Sequence, residues 1–325
     1  MRPRLALLAL AVCALSAIPA AAGEILERIK AQKLLRCGGV VRPGLVLVDD
    51  TTAAHGLELD ICKALASVVL GTDGRIEFRL YNSEMAFQAA REGRDDVSFL
   101  TGFEIIQNGL AGKVVPGPTV FIQSTGVMVH GDSKVARLEQ MTDQSICFFT
   151  GDHPESHLGA WAAAHHLSFI HMAFSEDGEM LDAFDVKHCD GLAAEVTTLA
   201  NVRRIGGERM ADHRILPDAL ATYPIIAATG VTDAQWSSVV AWTIHTLIRA
   251  DAPGSYWVVP GLDSIPVRAP ELGLDEGWQK RIVGIVGSYA DIYRRNLGDD
   301  SPLRLPRGPN ALPEDGGLLM SPFAE

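Results

Sequence analysis

The chain has 325 residues, 47% of them hydrophobic and 21% charged, with 28 lysines and arginines against 40 acids and a formal net charge of −12. This is an ordinary globular composition with room for two hydrophobic cores of typical domain size. The acidic balance argues against nucleic acid and anionic membrane surfaces as partners.

Arg2 and Arg4 precede an apolar run from Leu5 to Ile18, and Ala20 and Ala22 stand just ahead of Gly23. A basic start, a short apolar stretch and small residues at its end read as a secretory signal peptide over residues 1–22. The run is too short to span a bilayer comfortably, and no later segment reaches about 18 uninterrupted apolar residues. The expectation is a soluble protein outside the cytoplasm with no direct membrane insertion. Cys13 follows Val12 rather than a small residue, which is not the pattern of a lipoprotein signal. Cleavage would remove Arg2 and Arg4 and no acid, so the 28 basic residues fall to 26 against the same 40 acids, a net charge of −14. Cys37, Cys62, Cys147 and Cys189 remain. Four cysteines in an oxidising compartment point to two disulfides, with three connectivities that spacing leaves open.

Ile25, Leu26, Ile29 and Leu34 fall at helical spacing and lead into a strand over Leu35 to Val41. "GLELDICKALASVVLG" is an amphipathic helix stopped by Gly71. A strand "GRIEFRLYN", a helix "SEMAFQAAREG" and a strand "DDVSFL" follow. The same alternation returns from Ser145: "SICFF", "PESHLGAWAAAHH", "LSFIHMAF", "EDGEMLDAF" and "CDGLAAE". Strands alternating with helices at this spacing predict parallel α/β units. Helical patterns recur in "DAQWSSVVAWTIHTLIRAD" and in "EGWQKRIVGIVGSYADIYRRNLG", where Ile282, Ile285, Val286, Tyr289, Ile292 and Tyr293 line one face. The tail from Gly298, rich in proline and glycine, reads as irregular surface chain.

Several stretches are more specific than this alternation: "LLRCGGV" with "GLELDICKALASVVLG", "ICFFTG" with "KHCDGL", and "WTIHTLIRAD" with "VGSYADIYRRNLGDDSPLRLPRGPNALPEDGGL". In order and residues the chain resembles the periplasmic solute-binding proteins of amino-acid ABC importers (family 3), and among them the general L-amino-acid binding group. The resemblance implies an α/β, two-lobe type II clamp with lobe II inserted into lobe I. Its parts would be a signal peptide over 1–22, lobe I over 23–122, lobe II over 123–227, and the rest of lobe I with a C-terminal extension over 228–325. It implies periplasmic location, a small-molecule ligand in the interlobe cleft, and disulfides Cys37 to Cys62 and Cys147 to Cys189. No cofactor and no metal is implied.

In such proteins, the resemblance further implies, the loop after the strand of Val97 to Leu100 offers hydroxyls and an arginine to the ligand carboxylate. Here Thr101 is followed by Phe103 and Ile105 at the hydroxyl positions and by Asn108 at the arginine. The matching lobe II turn reads Thr150-Gly151-Asp152-His153, with an acid where a threonine would face the carboxylate. Glu195 stands where an aspartate takes the α-ammonium, and Leu45, after Pro43-Gly44, where an aromatic often lies. Burying a carboxylate without charge-assisted partners costs several kcal/mol. Repulsion from Asp152 would add about 1 to 4 kcal/mol. A micromolar ligand has only about −8 kcal/mol in total, so a plain α-amino acid would be rejected.

His153 and His157 lie one helical turn apart beside Asp152 and Glu155. Such a set could hold a transition metal, but helix capping by Asp152, with Pro154 and Glu155 following, explains the same residues more simply. No G-x-S-x-G, H-E-x-x-H or phosphate loop occurs, and Cys189 reads as a bridge rather than a nucleophile, so no enzyme is expected. Two functions follow from the resemblance. One is a solute-binding protein for a small polar ligand that is not a plain α-amino acid, delivering to an ABC importer permease in the inner membrane. The other is a clamp that has lost transport and serves as an accessory or sensor through another periplasmic protein.

Overall fold

The computed structural model describes residues 23–48, 54–107, 113–150, 153–251 and 269–322. The signal peptide reading over residues 1–22, Asn108 and Asp152 lie outside the described residues.

The chain opens with helix α1 (Glu24–Gln32), strand β1 (Leu34–Val40), the short hairpin β2 (Leu47–Val48) and β3 (Ala54–His55), and helix α2 (Leu57–Leu70). Next come β4 (Arg75–Tyr81), α3 (Ser83–Arg91), β5 (Val97–Thr101), α4 (Gly102–Gln107), β6 (Val114–Val115) and the long β7 (Thr119–Val129). The middle of the chain supplies β8 (Ser145–Phe149), α5 (Pro154–His165), β9 (Ile170–Phe174), α6 (Asp177–Asp185), β10 (Gly191–Glu195), α7 (Val196–Ile205), β11 (Arg214–Ile215) and β12 (Ala221–Gly230). Helices α8 (Ala234–Arg249), α9 (Trp278–Val286) and α10 (Tyr289–Asn296) close the sequence of elements.

The strands run in the order β4-β1-β5-β12-β7-β10-β8-β9. Within β4-β1-β5 and within β10-β8-β9 the pairing is parallel, as the strand and helix alternation predicts. Between these two halves stand β12 and β7, antiparallel to each other and to their outer neighbours β5 and β10. Two long strands thus carry the chain out of the first half and back into it. The middle of the chain is a second lobe inserted into the first.

The cores follow the same division. Leu26, Leu35 and Leu65 from the start of the chain pack with Trp236, Trp278, Tyr293 and Leu319 from its end. Val127, Ile146, Phe148, Leu158 and Ala193 form a separate cluster, and Met128, Phe184, Leu192 and Leu199 form another beside it. Each half carries one disulfide. Cys37 on β1 joins Cys62 on α2 with Cα atoms 6.4 Å apart, and Cys147 on β8 joins Cys189 at 5.8 Å, separations normal for bridged cysteines. Among the described residues no helix is long and apolar enough to cross a membrane.

Three local readings change. The long helical pattern near the C-terminus is two helices, because Gly287 takes φ 82° and Ser288 starts α10 with a reciprocal cap to Asp291. The tail from Gly298 is not draped over the surface: Leu303, Leu305, Leu312 and Leu319 are buried in the lobe I core. Helix α5 starts one residue later than capping by Asp152 requires, with His153 at the N-cap and Pro154 in the first turn.

Candidate functional site

The carboxyl ends of β1, β5 and β10 meet at the two crossing strands, and the ends of parallel strands are where α/β sheets present binding groups. After β1 the chain turns through Arg42-Pro43-Gly44-Leu45, with Leu45 N–H donating to the Arg42 carbonyl at 3.0 Å and Gly44 at φ 76°. Proline second and glycine third suit a type II turn, which needs positive φ at its third residue. The turn holds the Arg42 side chain inward, where only 7% of the residue is exposed.

Arg42 Nη2 donates to Glu104 Oε1 at 3.0 Å. The other oxygen of Glu104 accepts the Thr101 backbone N–H at 2.6 Å, while Glu104 N–H donates to Thr101 Oγ1 at 3.2 Å. This reciprocal pair closes the start of α4 and buries Glu104 to 2% exposure. Close by, Glu58 on α2 is wholly buried and neither of its carboxyl oxygens has a hydrogen-bond partner. A Cβ at Gly39 would overlap that carboxyl, so the glycine on β1 makes its room. Burial pushes the Glu58 pKa up to about 8 against the pull of Arg42, with Glu104 and Glu195 adding to the rise. Burial opposes the charge on Arg42, but Glu104, Glu195 and Glu58 outweigh it and raise its pKa.

From the second lobe, Glu195 ends β10 as the N-cap residue of α7. Its carboxylate accepts from Tyr223 Oη at 2.7 Å and from Gln123 Nε2 at 3.2 Å. Gln123 also donates to Thr197 Oγ1 at 2.9 Å, which locks its amide. Burial and the neighbouring Glu195 raise the Tyr223 pKa, so the phenol stays a donor. Thr125 on β7 bonds His157 Nδ1 at 2.9 Å. Burial, then His153, lowers the His157 pKa. The rings of Phe103 on α4 and His153 at the start of α5 meet edge to face with centroids 4.0 Å apart, a contact between the lobes. His153, His157 and Tyr223 continue the row at 6.0 and 6.2 Å toward Glu195. The arrangement offers acceptors, aromatic faces and one arginine whose charge is already matched. Among the described residues no group of three His, Cys, Asp or Glu side chains converges as a metal site.

No family model matches the chain. It is 27% identical to the General L-amino acid-binding periplasmic protein AapJ of Rhizobium johnstonii over 93% of each chain. It is 25% identical to the Glutamate/glutamine/aspartate/asparagine-binding protein BztA of Rhodobacter capsulatus, covering 93% of this chain and 94% of that one. The solved structure of an ABC transporter periplasmic binding protein from Brucella ovis with glutathione bound superposes with a TM-score of 0.73 at 26% identity, covering 90% of this chain and 97% of that one. The chain is a homologue of the periplasmic binding proteins of amino-acid ABC transporters. Its curated relatives are binding proteins, not enzymes.

Of the residues singled out from the sequence, the structure brings Phe103 and His153 into contact and links them through His157 and Tyr223 to Glu195. Thr101 is buried and engaged with Glu104. Ile105 packs on the small cluster of Ala86, Phe87 and Leu100, and Leu45 is fully buried in the lobe I core. Thr150 is exposed at the end of β8, its N–H held by the Phe174 carbonyl. Arg42, Glu58, Glu104, Gln123 and Tyr223 were not singled out as site residues. Thr101 and Glu104 stand at capping-box spacing, a signal that could have found Glu104. Nothing local marks Arg42 or Glu58: Glu104 lies 62 positions from Arg42, and the glycine that makes room for Glu58 comes from another element.

Proposed function

We propose that the protein is an extracytoplasmic solute-binding component of an amino-acid-type ABC importer, exported by a signal peptide over residues 1–22 and working with a permease in the inner membrane. Lobe I comprises 23–122 and 228–325, and lobe II 123–227. The ligand is small and polar, and is not a plain α-amino acid. The observation that carries this reading is the charge balance of the cleft. Arg42 is already paired with Glu104, while Glu195 adds a second acid and Glu58 a third that is neutral until about pH 8. A cationic or hydrogen-bond-donating ligand meets acceptors there, with Phe103 and His153 at its body; Thr101, Ile105, Thr150, Asn108, Asp152 and Leu45 are the other ligand-binding residues the sequence suggests. The relatives' names, which include amino acids and in one structure bound glutathione, support amino-acid-like compounds as the first candidates to try.

Calorimetric titration of the wild type with common L-amino acids is expected to give nothing tighter than about millimolar, roughly −4 kcal/mol. A screen of amines, betaines and amides should yield a ligand that Glu195→Gln binds more than tenfold more weakly, since removing one partner of a partly buried charge pair commonly costs over about 1.4 kcal/mol. Micromolar glutamate, glutamine or leucine binding by the wild type would overturn the reading.

A further inference from the structure

A carboxylate entering this cleft would seek a guanidinium and a backbone N–H, the donors that hold carboxylates most strongly. Both are present and both are taken by a side chain of the protein itself. Glu104 Oε1 accepts from Arg42 Nη2 at 3.0 Å and Oε2 from the Thr101 N–H at 2.6 Å. Each of the three residues is at most 7% exposed, so the pair is sealed from the water that weakens surface ion pairs. The tether matters as well: Glu104 is three residues from Thr101, and a covalently attached carboxylate competes at a high effective concentration. An outside carboxylate could displace it only by leaving a buried charge without a partner.

One donor of the same guanidinium is unclaimed. Arg42 Nη1 is buried and has no hydrogen-bond partner. Its charge also acts on Glu195, which stands at the N-cap position of α7 in the other lobe, so the open donor and that acceptor belong to one field. A neutral carbonyl oxygen fits a donor whose charge is already balanced, and an ammonium fits Glu195.

We infer that Glu104 is a built-in occupant of the cleft's carboxylate place, so that the protein turns away free amino acids and takes aminoacyl compounds whose carboxyl group is capped as an amide. This rests on the solute-binding reading and names the residue that sets its specificity. Glu104 excludes the carboxylate, Arg42 Nη1 donates to the amide carbonyl, and Glu195 accepts from the ammonium.

The test compares L-amino acids with their matching carboxamides by calorimetry. The wild type is expected to bind at least one carboxamide more than tenfold more tightly than its parent acid. Glu104→Ala should reverse that order. In the same variant, formate or acetate should raise the melting temperature saturably where equal chloride does not, because a small carboxylate refills the vacated place. The double variant Glu104→Ala/Arg42→Met should lose the formate effect. If Glu104→Ala does not fold, Glu104→Ser, which also vacates the place, replaces it, and the wild-type comparison needs no variant at all. A wild type that prefers acids to amides, or a folded Glu104 variant with no gain for acids or formate, overturns the inference. A wild type that binds neither class, alongside a formate-stabilised Glu104→Ala, supports the carboxylate place and overturns the solute-binding reading beneath it.

Discussion

Glu58 is a carboxylic acid at neutral pH because its surroundings give it nothing to bond with. Both oxygens lack hydrogen-bond partners, and burial lifts its pKa to about 8 even with Arg42 nearby. The unfolded chain releases this proton near the ordinary value of 4.5, whereas the folded protein holds it up to about 8. The folded state therefore binds more protons between those values, and stability falls as pH rises across that window. The loss is at most one proton's worth, about 1.4 kcal/mol per pH unit. Urea unfolding at intervals from pH 5 to pH 8 should show that Glu58→Gln flattens this slope relative to the wild type. Burial lowers the pKa of His157 and His213, which gives the opposite slope, but both histidines are present in both proteins and cancel in the difference. Equal slopes would mean that Glu58 is ionised in the folded state. In the sequence Glu58 is one acid in "GLELDIC", and only the approach of Gly39 and the turn carrying Arg42 makes it unusual.

At the scale of elements, helix ends decide more than helix faces. Asp233 accepts the Trp236 N–H at 2.8 Å at the start of α8 and the Ile25 N–H at 2.9 Å in the first turn of α1. One carboxylate thus caps a late helix and fixes an early one. Asp233→Ala should cost about 1 to 3 kcal/mol of unfolding free energy, the sum of a lost cap and a stranded backbone donor. Hydrogen exchange should speed up at both Ile25 and Trp236, and Asp233→Asn, with a single acceptor oxygen, should keep only one of the two protected. Faster exchange at Trp236 alone would show that α1 does not depend on this contact. The cap is readable in "TDAQW", but its second role is not, since more than 200 residues separate the two amides. The division between α9 and α10 shows the converse. Ile282 and Val286 on α9 and Tyr289, Ile292 and Tyr293 on α10 bury into the same core, so the apolar spacing continues across a break that Gly287 and Ser288 impose.

For the whole molecule, the C-terminal segment acts as a strap across the two lobes. The ladder of β10 on β7 ends at Thr125, and three residues earlier the side chain of Asn310 takes both backbone groups of Ile122, at 2.7 and 2.9 Å. Arg307 pairs with Asp251 at 2.9 Å and lies over the rings of Tyr289 and Tyr293. Arg203 on α7 of the inserted lobe donates to the Leu303 carbonyl at 3.1 Å. Asn310→Ala should strand two buried polar groups and cost about 2 to 4 kcal/mol in chemical denaturation, with loss of exchange protection at Ile122 as the local check. A stability change within about 0.5 kcal/mol would show that the strap is not fastened there. Much of this molecule is written locally. Strand and helix periodicity determines two parallel α/β units, turn and cap residues determine most helix limits, and the four cysteines determine that two bridges form, because each of these depends on neighbours within a few residues or on composition. The burial of Arg42 against Glu104, the neutral Glu58, the meeting of Phe103 with His153 and the anchoring of Asn310 on β7 depend instead on which strand ends the crossing pair β7 and β12 brings together. The contacts of Arg42 with Glu104, Phe103 with His153 and Asn310 with Ile122 join residues from 50 to nearly 190 positions apart, Glu58 meets Gly39 and Arg42 from other elements, and only the closed tertiary structure decides them.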